Sequence, residues 1–293
     1  MAGIVHTYII SFVMIYLIIA ILFSSTLSIF MRISEKYIKG NVAMLVVNYI
    51  TCTLVAAYDS RLAGIVTDDS GLGVAMGIGV IGGIAFFTTF LLLQYNIKKN
   101  GVVMPATFMK LGLLVPTVAS VVVFHEQPKV LQIVGFAIAL AAIILINSGN
   151  KSEKSQQFNF GLLILLMLLA GVGDITSKLH EELGNPVLGN TFLMFVFGVA
   201  LIGCTTVMLI KKQKIGKWEL LFGALIGVPN YLSSKFMLIA LNYIDAVIVF
   251  PTFSVGCIVV VTLVGVLAFK EKLSKRQLGA LGMIMVALAM LNI

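Results

Sequence analysis

Ten stretches of this chain are apolar enough to enter a bilayer, and the last five repeat the pattern of the first five. They fall at about 8–31, 42–58, 72–96, 102–124, 129–147, 160–179, 187–210, 219–243, 246–269 and 276–293. A hydrocarbon core about 30 Å thick needs roughly 20 mostly apolar residues per crossing helix. Phe124-His125-Glu126-Gln127 closes one stretch, and Phe269-Lys270-Glu271-Lys272 closes another 145 positions later. At that spacing Gln132 answers Gln277, Asn147 answers Asn292 and Thr88-Thr89 answers Ser233-Ser234. After a one-residue slip Pro105 answers Pro251, and Ser25 and Arg32 answer Gly171 and Lys178. Two copies of a unit with an odd number of spans must enter the membrane in opposite senses. The expected fold is therefore an all-α membrane protein of ten helices in two inverted five-helix repeats, with a site where the repeats meet.

With 60% of residues apolar and 11% charged, little chain is left for a soluble domain. The polar run 149–158 reads as a linker between halves 1–148 and 159–293. The first stretch lacks a basic leader and a small-residue cleavage site, so it reads as an anchor and not a signal peptide. Cys52, Cys204 and Cys257 fall inside apolar stretches without metal or disulfide spacing and read as small packing residues. The net charge of +8 comes from loops and does not call for a nucleic-acid partner. Connections after spans 1, 3, 5, 7 and 9 hold 15 Lys and Arg, including Lys36, Lys99, Lys151, Lys214 and Lys275. The opposite side holds Arg61, Lys129 and, at a span end, Lys178. The positive-inside bias then puts the odd connections in the cytoplasm and both termini outside.

Charges within the spans are the sharpest functional clue, because a charge at mid-bilayer costs about 2.5–3.5 kcal/mol on insertion scales and normally faces protein or water. Lys110, Asp174 and Lys235 qualify by depth. Lys235 either snorkels to the interface or lines a cavity. Asp174 and Lys178, one helical turn apart, either pair with each other or leave Asp174 free for cargo. Lys110 lies too deep to snorkel easily and is expected to line the cavity. Tyr231 and Asn230 (span 8), Asn48 (span 2) and Tyr95 (span 3) are further substrate-binding candidates. Pro105, Pro116, Pro229 and Pro251 free backbone groups inside spans and are candidate hinges. Glu126 and Glu271, at span ends, read as packing or solvated residues. Gly79, Gly83, Gly223 and Gly227, with Gly73 and Gly77, have the spacing of close helix packing.

Catalytic readings fare badly. His6, His125 and His180 are not spaced as metal ligands, no Gly-rich phosphate loop is present, and no Ser or Cys has an evident His partner. No cofactor, metal or catalytic residue is expected. The partners expected are a small-molecule substrate and membrane lipids, for a monomer or homodimer in the cell membrane, the bacterial plasma membrane being the expected setting. A secondary transporter of a small polar metabolite, such as an amino acid or another carboxylate- or phosphate-bearing solute, fits these features. A lipid or lipid-linked head-group translocator of the same fold is the alternative, and an intramembrane enzyme the alternative of another class.

Four local features resemble the drug/metabolite transporter superfamily, specifically its ten-span proteins built from two EamA-type halves. Ala240-Leu241-Asn242-Tyr243-Ile244-Asp245-Ala246 is similar to that family's Ala-Leu-x-Tyr-x-x-Ala, and Pro251 follows as its proline does. Glu271 ends the fourth span of the repeat, and Gly171 to Lys178 is similar to a small-residue-to-Lys run in the first. The first half departs, with Tyr95-Asn96-Ile97-Lys98 in place of the Ala-Leu run and Ser25 where glycine is common. The resemblance implies a central cavity lined by the first four spans of each half, with 129–147 and 276–293 packing outside it.

Overall fold

The computed structural model describes residues 2–62, 71–100, 103–147, 160–270 and 275–291. The proposed linker 149–158 and Glu271 lie outside them. Among the described residues every regular element is helical: α1 Ala2–Ser34, α2 Asn41–Leu62, α3 Leu72–Asn100, α4 Val103–Leu111, α5 Leu114–Val122, α6 Val130–Asn147, α7 Phe160–Leu183, α8 Gly189–Ile210, α9 Lys217–Leu241, α10 Ala246–Phe269 and α11 Lys275–Leu291, with one 3-10 turn at Pro186–Leu188. In hydrocarbon every backbone group must be satisfied within its own segment, so long apolar runs of this kind take the helix.

Among the described residues seven helices (α1, α2, α3, α7, α8, α9 and α10) are long and apolar enough to cross a membrane. The other three expected stretches form shorter helices. Stretch 102–124 is divided between α4 and α5, 129–147 forms α6, and 276–293 forms the 17-residue α11. The break between α4 and α5 has a local cause. Pro116 has no N–H to give the Gly112 carbonyl, and its ring crowds that carbonyl. The Gly112 oxygen accepts instead from Val115 N at 3.0 Å, a tighter turn. Gly171 of α7 fits against this break, since a Cβ there would lie 2.5 Å from the Gly112 oxygen. Pro105, expected to kink its span, is the third residue of α4, where a proline removes no intrahelical bond.

The chain divides into two compact units, each assembled from both halves of the sequence. One comprises 1–87 and 176–244, the other 88–175 and 245–293. In the first unit α1 packs on α9, and α2 packs on both α8 and α9. Tyr16 and Phe23 of α1 stack on Phe236, and the Ser233 hydroxyl donates to the Ala20 carbonyl at 3.0 Å. Gly79 and Gly83 bring α3 against the α8 backbone, where a Cβ would lie 2.8 Å from the Phe192 oxygen and 2.6 Å from the Val196 oxygen. Gly223 and Gly227 do the same for α9 against α2, as their spacing predicts. Gly73 and Gly77 face open space instead.

In the second unit α6 packs along α11, and α10 packs on α5. A small cluster of Leu113, Ala139, Ile143, Val255 and Ile284 forms its core. Glu126 accepts from the backbone N–H groups of Ala246 and Val247, each at 3.0 Å, and so caps the start of α10. A carboxylate there satisfies two of the donors that every helix leaves free at its N-terminus. His125 and Lys270, partners in the 145-residue repeat, both hold left-handed backbone, at φ 58° and φ 55°. The two endings differ in detail: Lys270 directly caps α10, whereas His125 lies three residues beyond the end of α5.

Candidate functional site

The first unit gathers a cluster of polar side chains where α2, α8 and α9 meet. Asn48, Cys52 and Asp59 stand at i, i+4 and i+11 on α2, so they share a face. Tyr231 and Lys235 stand one turn apart on α9. The glycines set the distance between these faces. A Cβ at Gly227 would lie 2.5 Å from Thr51 Cβ and 2.8 Å from the Asn48 oxygen, so only glycine permits the approach. At this contact Cys52 Sγ donates to the Gly227 carbonyl at 3.2 Å, and Asn230 Nδ2 donates to Asn48 Oδ1 at 3.2 Å.

Toward the end of α9 the contact becomes charged. Lys235 Nζ lies 2.5 Å from Asp59 Oδ2, with the side chains 29% and 21% exposed. The Tyr231 hydroxyl lies 2.8 Å from the same carboxylate oxygen and 3.1 Å from Asn190 Oδ1 on α8. One hydroxyl proton cannot serve both acceptors. The consistent arrangement has Tyr231 donating to Asp59, with the Asn190 amide turned so that its N–H donates to the phenol oxygen. Tyr231 is fully buried, and Lys235 Nζ sits 5.9 Å from its ring centroid.

A pocket of about 170 Å³ adjoins this cluster. Lys235, Asn190 and Asn242 supply its polar lining, and Pro186, Val187, Leu193, Leu238 and Ile239 supply an apolar wall. It lies beside the end of α9, the start of α8 and the turn between α7 and α8. At the other end of α9 a second carboxylate is fully engaged. Glu219 accepts from Lys39 N at 2.6 Å, Gly40 N at 3.3 Å and Gly216 N at 3.1 Å, tying the α1–α2 loop to the first turn of α9. Gln213 adds a bond from Ala43 N at 3.2 Å. The Tyr37, Trp218 and Phe222 rings pack around the same corner.

Of the residues singled out in the sequence, Lys235, Tyr231, Asn230 and Asn48 come together here. Lys235 is ion-paired to Asp59 instead of snorkelling alone. Lys110, Asp174 and Tyr95 belong to the other unit. There Lys110 is exposed on α4 and within electrostatic reach of the half-buried Asp174 on α7. Tyr95 is 48% exposed, with Lys99 Nζ 5.5 Å from its ring centroid. Lys178 pairs with Glu181 and Glu182, at 2.5 and 2.8 Å. Asp59 and Asn190 were not singled out from the sequence. Asp59 stands one residue past the expected end of span 2, where an acid reads as an interfacial residue. The signal that points to it is the deep Lys235, which needs a counter-charge.

Residues 159–293 match the EamA-like transporter family. The chain is 25% identical over 277 residues to an uncharacterized protein of Haemophilus influenzae, covering 88% of this chain and 91% of that one. A crystal structure of a 17% identical protein has the same fold, with a TM-score of 0.71 over 96% of both chains. The match and the seven apolar helices of membrane-spanning length among the described residues support a membrane-embedded multi-pass protein.

Proposed function

We propose that the protein is a secondary transporter that moves a small polar organic metabolite by alternating access, without ATP. The observation that carries this reading is an ion pair, Lys235–Asp59, held beside a pocket within a bundle of membrane-length helices. Charges are kept in such surroundings at a cost, and a pathway for polar solute is the ordinary reason to keep them. The match of 159–293 to a transporter family supports the same reading. The reading takes the chain as two repeats, 1–148 and 159–293, of five spans each, on the 145-residue spacing of the sequence. In that arrangement α4 and α5 form one interrupted span, and α6 and α11 are the fifth spans. The 17 residues of α11 reach roughly 26 Å, the short limit for a crossing. Loop charge orients the odd connections to the cytoplasm of a bacterial cell. The pocket then faces outward.

Lys235, Tyr231, Asn230 and Asn48 are the cargo residues proposed in the first unit, joined by Asp59 and Asn190. Lys110, Asp174 and Tyr95 are those proposed in the second. The test is a thermal-shift screen of the purified chain against metabolites, since a ligand of the folded state raises apparent stability by mass action, followed by uptake of the hits into proteoliposomes. Lys110→Gln and Lys235→Gln should each weaken binding of the hit about tenfold or more, the value of a lost charge-assisted contact. Lys129→Gln, on an outer loop, should leave it unchanged. A hit that is chemically converted and not translocated would favour an enzyme instead.

A further inference from the structure

Positive charge in the first unit concentrates at the Glu219 end of α9, the end opposite the pocket. Residues 32–40 and 211–219 carry seven Lys and Arg against two acids, Glu35 and Glu219. Lys36, Lys39, Lys212, Lys214 and Lys217 are all exposed. Glu219 is buried, and its carboxylate is engaged by three backbone N–H groups. Those bonds also hold the two basic loops against each other. Lys39 N lies 2.6 Å from Glu219 Oε1, two residues from Lys217, and Gln213, between Lys212 and Lys214, accepts from Ala43 N at 3.2 Å. Like charges are thus gathered by a rigid tie, and an anion set among them would relieve their repulsion. The same corner presents aromatic rings. Tyr37 and Trp218 are exposed with centroids 4.9 Å apart, and Lys217 Nζ sits 5.4 Å from the Trp218 centroid. On α9 just beyond Trp218, Leu220 and Leu221 are exposed as well.

We propose that this corner binds an anionic glycerophospholipid, its phosphate between the α1–α2 and α8–α9 loops and an acyl chain along the first turns of α9. The three kinds of side chain match three zones of one lipid. Lysines meet the phosphate, Tyr37 and Trp218 sit at the depth of the ester groups where amphipathic rings prefer to lie, and Leu220 and Leu221 meet hydrocarbon. A soluble anion would use the lysines alone. The placement suits a lipid because α1 ends here and α9 starts here, and both are long and apolar enough to cross a membrane. A bound lipid would bridge the two loops from outside as Glu219 bridges them from within. The site stands apart from the cargo pocket, so it holds whether or not the transporter reading does.

Trp218 is the sole tryptophan of the chain, so its fluorescence reports on this corner alone. The full-length protein is reconstituted in phosphatidylcholine vesicles containing a low, equal fraction of phosphatidylglycerol or phosphatidylcholine brominated near the head of one acyl chain. Bromine quenches a tryptophan that it touches. Brominated phosphatidylglycerol should associate with Trp218 about fivefold or more strongly than brominated phosphatidylcholine. Replacing Lys39, Lys214 and Lys217 together by Gln should bring the two within about twofold. Replacing Lys99, Lys129 and Lys275 by Gln, in the other unit, removes the same charge and should leave the preference intact. Glycerol 3-phosphate in solution should relieve the quenching no more than chloride of equal ionic strength does. Equal quenching by the two lipids overturns the proposal, as does a preference that survives the triple substitution at 39, 214 and 217. Specific relief by glycerol 3-phosphate overturns it too, because the site would then take a soluble phosphate. If the triple variant does not fold, the wild-type lipid comparison and the glycerol 3-phosphate arm decide. Loss of the lipid preference leaves the transporter reading standing, and a chain that shows the preference but moves no cargo does the reverse.

Discussion

The two ends of α9 use the same chemical group for opposite purposes. Near its start, Glu219 is 5% exposed and its carboxylate is saturated by three backbone N–H groups. Sixteen residues on, roughly 24 Å along the helix, the Asp59 carboxylate is shared between two side chains beside an open pocket. Backbone donors cannot rotate away, so the Glu219 end is a fixed tie between the α1–α2 loop and α9. Side-chain donors can rotate, and the Lys235 end can exchange partners. In this unit, then, one end of the α2–α9 seam is clasped and the other lies beside a pocket.

The seam between the two ends depends on Gly227, and breaking it should have the largest effect. Gly227→Leu drives a side chain into Thr51 and the Asn48 carbonyl, and should cost about 3 kcal/mol or more of stability. Chemical denaturation in detergent would show it. Gly73→Ala, with nothing within 4 Å, should change stability by less than about 0.5 kcal/mol. A smaller effect is expected at the clasp. Glu219→Gln keeps an acceptor but loses the charge assistance, for a loss of about 1–2 kcal/mol. Affinity for a bound cargo should stay within about twofold of wild type. If Glu219→Gln weakens binding as much as Lys235→Gln does, the two ends are not functionally distinct.

The all-helical, membrane-length character of the fold was legible in the sequence, because long apolar runs are signals that no tertiary contact needs to complete. The division of the stretch 102–124 was harder to read. Pro116 was visible, but whether a proline bends or breaks a helix depends on what can fill the gap, here Gly171 on a different helix. The compact units were illegible, since each joins helices from both halves of the chain. Within the site, Lys235, Tyr231, Asn230 and Asn48 stood out as polar residues in apolar runs. Asp59 and Asn190 lie close to the ends of their spans, where polar residues are ordinary, and only the packing of α2 and α8 against α9 reveals their part.

The most direct test of the account asks which side reaches each end of α9. Cysteine is placed at Ile239, in the pocket wall, or at Lys214, beside the Glu219 clasp. The native cysteines are buried and give a low background. An impermeant thiol reagent applied to intact cells should label Ile239→Cys, more slowly once the cargo identified by thermal shift is added. It should label Lys214→Cys only after the membrane is made permeable. Labelling of Lys214→Cys from outside, or of Ile239→Cys only from inside, would contradict the account.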